Sequence, residues 1–300
     1  MTLLHPHSGC LFVRPVVAAV ALGGLLSLTA GASQDTVPRT VYLAVLDDAN
    51  APVTGLTAKE VTIVENGALR QVTDIGPATD PLCVAILVDT AQPPAGQTAP
   101  TRDLRAGVSA LVGIIQTTNP ESEIALMETG GAAVVTVRFT NKGQDVTRAV
   151  NRLVQTQRTS AVMLEGLLSM SETIASRPTR RRAIVTVDFD STDPSRIREQ
   201  EYAEALTRAG ASVWAVSVRR GAGLAAARDA ILDWATTLTG GLRLTVVSVS
   251  ALESQLQIVA NAIASQYAVT YQQPAGTTIS DLRAAATRGS KFLVTRALAK

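Results

Sequence analysis

From residue 82 to residue 272, short apolar runs alternate with longer stretches in which apolar residues recur every three or four positions. The short runs predict strands, and the longer stretches predict amphipathic helices. The predicted strands are residues 82–89, 122–128, 133–139, 183–188, 211–218, 243–248 and 267–272, and the predicted helices are residues 101–117, 144–155, 161–176, 197–209, 223–238 and 250–265. This alternation predicts an α/β fold, with a doubly wound, mostly parallel sheet and helices on both faces.

Two features at the margins of this pattern predict additions to the parallel sheet. The strands at 122–128 and 133–139 are joined only by residues 129–132, a link that predicts a hairpin rather than a helical crossover. One antiparallel strand is therefore expected at an edge of the sheet. Residues 276–300 form a C-terminal extension, in which residues 291–295 (KFLVT) predict a last strand without an assigned partner.

Residues 38–78 predict a small β module ahead of this domain. Val41, Leu43 and Val45 occupy alternate positions, as in a strand with one buried face. Residues 61–67 (VTIVENG) end in Asn-Gly, which is a strong signal for a hairpin turn. Because roughly 40 residues bury little core on their own, we expect this module to pack on the larger domain at 80–275.

The first 32 residues predict a signal peptide. Arg14 precedes an apolar run at residues 16–26, and Ala30-Gly31-Ala32 then supplies a cleavage site of small residues. The run falls short of the ~20 apolar residues that a membrane-spanning helix needs. We therefore expect export to the periplasm or the extracellular space, with no membrane span after removal of the signal.

Histidine and cysteine are concentrated in the predicted signal peptide. His5, His7 and Cys10 lie there, so the exported chain would keep Cys83 as its one cysteine and no histidine. This excludes Ser-His-Asp and Cys-His catalysis, zinc sites built from these residues and disulfides within the chain. The whole chain has 27 Lys+Arg and 25 Asp+Glu, a balance that gives no electrostatic footprint for nucleic acid.

Polar residues follow two predicted central strands, at the positions where doubly wound sheets bind ligands. The first strand runs into Asp89 and Thr90, and the fourth strand ends in Asp188. Between them, Ser160 stands at the start of a predicted helix, where a hydroxyl could cap the helix or face a ligand. The sequence thus predicts a binding site at Asp89, Thr90, Ser160 and Asp188.

This order of features resembles the von Willebrand factor type A (VWA) domain, which is Rossmann-like. The match rests on an apolar strand ending in Asp89, the hydroxyl of Ser160 and a later strand ending in Asp188. Residues 53–56 (VTGL) and 61–67 are also similar to the stretch that precedes the VWA domain in the bacterial exported VWFA-related family. The resemblance implies a non-enzymatic module that binds a protein partner.

The resemblance also implies a metal-ion-dependent adhesion site, in a degenerate form. The matching positions are Asp89, with Ala91 and Pro93 where the family has serines, then Ser160 or Thr159, and then Asp188 or Asp190. Alanine and proline supply no side-chain oxygen, so the sequence predicts no bound cofactor beyond weak Mg²⁺ binding. In the alternative interpretation, Asp89 and Asp188 only cap strand ends beside helix N-termini.

The sequence allows three further interpretations. Residues 221–226 (GAGLAA) imitate a dinucleotide-binding turn, but no acidic residue ends the following strand, so a nucleotide-binding enzyme is the lesser alternative. The cluster Arg177, Arg180, Arg181 and Arg182 is interpreted as a solvated turn before a strand. An inert scaffold in an envelope assembly is the remaining alternative to a protein-binding module.

Overall fold

The computed structural model describes residues 35–93, 100–221 and 223–296, except for the side chain of Arg296. The predicted signal peptide lies outside these described residues. The strands are β1 (Thr36–Leu46), β2 (Val61–Glu65), β3 (Ala68–Arg70), β4 (Val72–Pro77), β5 (Leu82–Val88), β6 (Glu123–Glu128), β7 (Val134–Thr140), β8 (Arg181–Asp188), β9 (Ala211–Val218), β10 (Arg243–Val246), β11 (Tyr267–Pro274), β12 (Leu282–Ala286) and β13 (Lys291–Arg296). The α-helices are α1 (Thr101–Thr118), α2 (Gly143–Arg152), α3 (Met163–Ala175), α4 (Glu199–Ala209), α5 (Ala226–Thr239) and α6 (Leu252–Ala264).

Six strands form the central sheet in the order β10-β9-β8-β5-β6-β7. All neighbours are parallel except β7, which pairs antiparallel with β6 at one edge. This confirms the doubly wound, mostly parallel sheet and its predicted edge hairpin. From β5 the chain adds β6 on one side and later returns to add β8 on the other, so the strand order reverses between β5 and β8.

Helices cover both faces of the central sheet because its inner strands are apolar on both sides. Every residue of β5, β8 and β9 is buried. Helices α1, α2 and α6 pack on one face, and α3, α4 and α5 pack on the other. Cys83 lies in the second of these cores and is buried, as the sequence predicts.

Strands from both ends of the described chain build two smaller antiparallel sheets. One has the order β13-β1-β11-β4, and the other has the order β12-β2-β3. The two share a core that includes Leu43, Ile63 and Tyr271. The last strand, β13, therefore has β1 as the partner that the sequence left unassigned. The Asn66-Gly67 turn joins β2 to β3 as predicted, with positive φ angles of 51° and 79° that suit a tight hairpin.

The prediction that residues 267–272 join the central sheet is wrong. Strand β11 covers these residues, but it pairs antiparallel with β1 and β4. Its residues alternate between buried and half-buried positions, which is typical of a strand with one face on a core. The inner strands β5, β8 and β9 of the central sheet are instead buried along their whole length.

The interpretation of the arginine cluster as a solvated turn is wrong for two of its members. Arg181 and Arg182 are buried at the start of β8. Arg181 donates to the carbonyl oxygens of Ala78 at 3.0 Å and of Ala264 at 2.9 Å, and it thereby ties β8 to the end of α6.

In the part of the chain that the structure describes, no helix combines the length and the hydropathy needed to cross a membrane.

Candidate functional site

The predicted site lies where the strand order reverses, at the carboxyl ends of β5 and β8. Asp89 directly follows β5, and its backbone N–H donates to the carbonyl oxygen of Val187 on β8 at 2.8 Å. Asp188 is the last residue of β8. Both carboxylates are fully buried. The structure thus brings together the two aspartates that the sequence selected from separate strands.

Asp89 is held by groups from both strand ends. Its Oδ1 accepts a hydrogen bond from the backbone N–H of Ala91 at 2.8 Å. Its Oδ2 accepts the hydroxyl of Ser191 at 2.5 Å and the backbone N–H of Phe189 at 3.3 Å. Both carboxylate oxygens are therefore engaged by protein donors, which fixes the orientation of the side chain.

A buried arginine lies among the carboxylates at this point. Arg228, near the start of α5, is fully buried. Its Nη1 lies 3.9 Å from Asp89 Oδ2 and 4.0 Å from Asp193 Oδ2, and its Nε lies 3.5 Å from Asp188 Oδ1. Nη1 also donates to Ser191 Oγ at 3.1 Å, and Nη2 donates to the carbonyl of Phe189. One guanidinium therefore faces three carboxylates.

A chain of ion pairs extends from Asp188 toward the β10 edge of the sheet. Asp188 accepts from Arg219 and, at 2.9 Å, from the hydroxyl of Ser217. Arg219 also donates to both carboxylate oxygens of Asp229 at 3.1 Å, and Arg243 donates to Asp229 at 2.6 Å. These side chains link the carboxyl ends of β8 and β9 to the first residue of β10 and to α5.

Burial controls the ionisation of Asp89. Removal from water raises the pKa of its carboxyl above the usual value, although Arg228 and the hydrogen bond from Ser191 act in the opposite direction. Burial alone would lower the pKa of Arg219, but its contacts with Asp229 and Asp188 raise that pKa above its ordinary range. Arg219 therefore stays charged, while the raised pKa means that Asp89 holds its proton more tightly than a solvated aspartate.

Two further predicted residues, Thr90 and Ser160, lie beside this cluster. The carbonyl oxygen of Thr90 accepts a hydrogen bond from the backbone N–H of Thr156 at 2.8 Å. The side chain of Thr90 is buried. Ser160 is half-buried and forms an isolated parallel bridge with Thr192. The alternative at this loop, Thr159, is exposed. All four predicted site residues thus meet at the same end of the sheet.

The expectation that a hydroxyl at residues 159–160 caps the following helix is wrong. Helix α3 begins at Met163, and the backbone N–H of Leu164 donates to Asp193 Oδ2 at 3.2 Å. Asp193 is therefore the carboxylate that satisfies this helix N-terminus. Asp190, the alternative to Asp188, accepts from the backbone N–H of Arg220 at 2.6 Å and does not join the cluster around Arg228.

The residues present do not fit a divalent ion. Magnesium requires about six oxygen ligands in near-octahedral geometry, but Ala91 offers none, and both oxygens of Asp89 already accept from protein donors. The guanidinium of Arg228 supplies positive charge among the carboxylates instead. Within residues 35–93, 100–221 and 223–296, no group of three or more His, Cys, Asp or Glu side chains could hold a metal ion.

The glycine-rich turn after β9 lies one strand away from the reversal point. Strand β9 pairs with β8 and β10, whereas the order reverses between β5 and β8. Gly221 and Gly223 have positive φ angles of 129° and 65°, and residue 222 lies outside the described residues. Because doubly wound folds bind ligands at the reversal point, this position favours the loop interpretation over a nucleotide site.

Arg228 is the main residue of the site that the sequence analysis missed. The buried positions of α5 include Arg228, Leu232, Ala235 and Thr236, which follow the three-to-four spacing of a helix face. That spacing was a usable signal, because it places Arg228 on the face that packs against the sheet. A charged residue at such a position needs a partner, and the strand-end aspartates are the nearest candidates.

Large apolar side chains are exposed around the site. Of the eight that are exposed among the described residues, five lie at the carboxyl edge of the central sheet. These five are Val134, Val135, Val154, Leu224 and Val247. They lie at the start of β7 and in loops after α2, β9 and β10. We call this exposed surface the carboxyl rim.

Comparison with solved structures identifies the fold. A von Willebrand factor type A protein from Catenulispora acidiphila is similar over 88% of this chain and 72% of its own, with 9% identity and a TM-score of 0.50. Proximal thread matrix protein 1 from the mussel byssus is similar over 71% of this chain and 51% of its own, with 12% identity and a TM-score of 0.51. The D319A mutant of the PilB minor pilin from Streptococcus sanguinis is similar over 63% of this chain and 62% of its own, with 11% identity and a TM-score of 0.48.

This chain therefore spans only about half to two thirds of the length of two of these structures. No protein-family model matches its sequence, and no curated protein matches it. At such low identities the similarity concerns the fold, which is of VWA type, as the sequence resemblance implies.

Proposed function

We propose that this chain, whose fold is of VWA type, is an exported, non-enzymatic module that binds a protein partner at its carboxyl rim without a divalent ion. The observation that carries the proposal is the position of the exposed apolar side chains. Five of the eight among the described residues lie at this one edge of the sheet. Exposed apolar surface bordered by polar groups is typical of protein interaction sites.

Arg228 supports the proposed independence from metal. Its guanidinium faces Asp89, Asp188 and Asp193 at 3.5–4.0 Å and compensates carboxylates that would otherwise need a cation. A divalent ion in the same place would have to displace this side chain and leave a second positive charge buried nearby. Such a charge is costly in a site without access to water.

In this proposal, most of the predicted binding residues contribute indirectly, because they maintain the shape of the carboxyl rim. The side chains of Asp89, Thr90 and Asp188 are buried, so they hold the strand ends and loops in place. Ser160 is half-buried, and of the four residues it is the one that a partner could contact directly. Recognition would then rest on apolar contacts and on hydrogen bonds from the loops.

Export is supported by the sequence of the first 32 residues, with Arg14, the apolar run at 16–26 and the Ala30-Gly31-Ala32 site. The alternative of an inert scaffold in an envelope assembly predicts no partner that depends on the rim. A nucleotide-binding enzyme is less favoured, because the glycine-rich turn lies away from the reversal point.

The test is a pull-down from envelope extract with the exported chain, residues 33–300, in buffer with Mg²⁺ and in buffer with EDTA. The informative variant is Leu224→Ser/Val247→Ser, which makes two residues of the carboxyl rim polar. The control is Leu69→Ser on β3, because Leu69 is 75% exposed and Val247 is 78% exposed. This control measures the effect on partner retention of a general loss of surface hydrophobicity.

We expect a partner that is retained equally in Mg²⁺ and EDTA, lost in the rim variant and kept in the Leu69→Ser control. Retention in Mg²⁺ alone would contradict the metal independence. Equal retention by all three proteins would contradict binding at the rim, and no retained partner would favour the scaffold.

A further inference from the structure

We infer that a cavity at the amino edge of the central sheet binds an uncharged aliphatic molecule that carries a hydroxyl group. This edge is opposite to the carboxyl rim, so the inference does not depend on the proposed function. The cavity has a volume of about 450 Å³, within the range of about 300–1,000 Å³ that is usual for small-molecule sites. At about 30 Å³ per non-hydrogen atom, the share of a water molecule in the liquid, it has room for up to roughly fifteen such atoms.

Two groups of elements enclose this cavity. The C-terminal ends of α4 and α5, with their cap residues Gly210 and Gly240, form one wall, and β9 begins directly after Gly210. Strands β12 and β13 form the other wall. A Cβ on Gly240 would overlap the carbonyl oxygen of Val294, so the end of α5 lies directly on the backbone of β13. This contact holds the two walls in place, and the cavity is therefore formed before a ligand arrives.

The large side chains that line the cavity are mostly apolar. They include Leu206 on α4, Leu282 on β12 and Phe292 on β13. Leu238, near the end of α5, also lines the cavity and is 42% exposed. An aliphatic ligand would cover this apolar surface, and its removal from water would favour binding.

Thr295 supplies a hydrogen-bonding group to this apolar cavity. It lines the cavity, it is 3% exposed, and its Oγ1 has no hydrogen-bond partner among the described residues. Leu293, two residues earlier on β13, packs against the core of the central sheet, and alternate residues of a strand share a face. The Thr295 side chain therefore points toward the central sheet. A buried hydroxyl without a partner is unfavourable, and a ligand with a hydroxyl group would supply the partner.

The charges around the cavity favour a neutral ligand. The ends of α4 and α5 carry partial negative charge, which opposes an anion. Among the described residues that line the cavity, Arg283 is the one charged side chain, and it is paired with Asp281 at 2.8 Å. Arg208 and Lys291 are sequence neighbours of lining residues but do not line the cavity themselves. A ligand hydroxyl can donate to a carbonyl at a helix end and accept from Thr295, without the cost of burying a charge.

Three other threonines of the lining have their hydroxyl groups engaged within α5. Thr236 and Thr237 donate to the carbonyl of Asp233 at 3.0 and 2.8 Å, and Thr239 donates to the carbonyl of Ala235 at 2.7 Å. Removal of the Thr237 hydroxyl therefore removes no group that is free for a ligand. This makes Thr237→Val the matched control for Thr295→Val.

The experiment titrates 1-octanol into the ¹⁵N-labelled exported chain, residues 33–300, and follows the backbone amide shifts by NMR. Octanoate and octylammonium, which have the same chain length and a charged end, are the comparison probes. The test variants are Thr295→Val, which removes the hydroxyl, and Leu238→Trp, which adds bulk to the lining. Their controls are Thr237→Val and Leu69→Trp, because Leu69 is exposed and lies outside the cavity.

We expect 1-octanol to cause saturable shifts at the amides of Gly240 and Gly241 and to bind at least fivefold more tightly than either charged probe. Thr295→Val should weaken the binding of 1-octanol roughly fivefold, through the loss of one hydrogen bond. It should not lower the midpoint of thermal unfolding, because the hydroxyl has no partner among the described residues. Leu238→Trp should also weaken binding, and both controls should bind as the unmodified chain does.

Three outcomes would overturn the inference: shifts that do not saturate or that lie away from Gly240 and Gly241, equal affinity for a charged probe, or equal binding by Thr295→Val and Thr237→Val. If thermal unfolding shows that Leu238→Trp is destabilised, the comparison of the two threonine variants decides alone. None of these outcomes bears on the pull-down, which tests the opposite edge of the sheet.

Discussion

Arg228 and Arg181 are both fully buried, at opposite edges of the central sheet, and the protein satisfies them in different ways. Arg228, at the carboxyl edge, faces three carboxylates. Arg181, at the amino edge, donates mostly to backbone carbonyls, including those of Ile263 and Ala264 in the last turn of α6. The positive charge of Arg228 is balanced by the negative charges of carboxylates, whereas the positive charge of Arg181 is balanced by the dipoles of backbone carbonyls.

The difference indicates that Arg181 has a structural role, whereas Arg228 belongs to the candidate functional site. Carbonyls at the end of a helix need donors, and Arg181 supplies them, so its position is explained by the packing of α6 on β8. Burial among such partners lowers the pKa of Arg181 to about 10. The carboxylates around Arg228 come instead from two segments, Asp89 after β5 and Asp188 with Asp193 at the end of β8 and in the loop after it, which meet at the reversal point. The carboxyl edge thus keeps a charged arrangement in which one arginine lies among three carboxylates.

The largest expected effect comes from Arg228→Met. It leaves three buried carboxylates without their shared cation, so we expect a loss of about 3–5 kcal/mol in the free energy of unfolding. Urea unfolding measures this loss. In the double variant Asp89→Asn/Arg228→Met, part of the loss should be recovered, since one uncompensated charge is gone. A double variant no more stable than Arg228→Met would contradict the charge argument.

A smaller loss is expected for Arg181→Met. The carbonyls of Ala78, Ile263 and Ala264 lose their hydrogen-bond donor, but some of them can accept hydrogen bonds from water at the edge of the sheet. We expect about 2–3 kcal/mol by urea unfolding, the cost of buried acceptors left unpaired. A loss larger than that of Arg228→Met would reverse the comparison between the two edges.

The third prediction concerns the close approach of Gly130 to the loop after β5. A Cβ at residue 130 would lie 2.6 Å from Thr90 Oγ1 and 2.7 Å from the carbonyl carbon of Thr90. Gly130→Ala should therefore cost roughly 1–3 kcal/mol, as overpacking does. The control is Gly113→Ala in α1, where a Cβ meets nothing within 4 Å. It should be stabilising by about 0.5–1 kcal/mol in thermal unfolding.

The smallest effect is a pH dependence. The pKa of Asp89 is raised in the folded state, so the folded protein binds this proton more tightly than the unfolded chain does. The contribution of Asp89 to the free energy of unfolding is fully present below the pKa of an unfolded aspartate, about 3.9. This contribution is lost as the pH rises through the pKa that Asp89 has in the folded protein. The unfolding free energy of the wild-type protein minus that of Asp89→Asn should therefore fall as the pH rises above about 4. A difference that rises over this range would show a lowered pKa instead.

The sheet was predictable from the sequence because its signals are local. Continuous apolar runs mark the buried parallel strands, and three-to-four periodicity marks the helices between them. The wrong assignment of β11 to the central sheet was also avoidable from a local signal. Tyr267, Val269 and Tyr271 alternate with residues that are half-buried in the structure, as in an antiparallel strand with one face on a core. Strict alternation separates this strand from the continuous run of β5.

The site was predictable only in part. Asp89 and Asp188 could be selected because strand ends meet at the reversal point. Arg228 could have been found from its place on the buried face of α5. The partners of Arg181 could not be found in this way, because its acceptors at Ala78, Ile263 and Ala264 are distant from it along the chain and carry no sequence signature.

The central claim, that Arg228 takes the place of a divalent ion, is tested most directly by thermal unfolding of the exported chain in EDTA and in increasing Mg²⁺. An ion that binds the folded state stabilises it by RT ln(1 + [L]/Kd), so the unfolding midpoint keeps rising with the logarithm of the ion concentration above Kd. We predict the same midpoint in EDTA and in Mg²⁺. A rise of the midpoint with increasing Mg²⁺ that disappears in Asp89→Asn would contradict the claim.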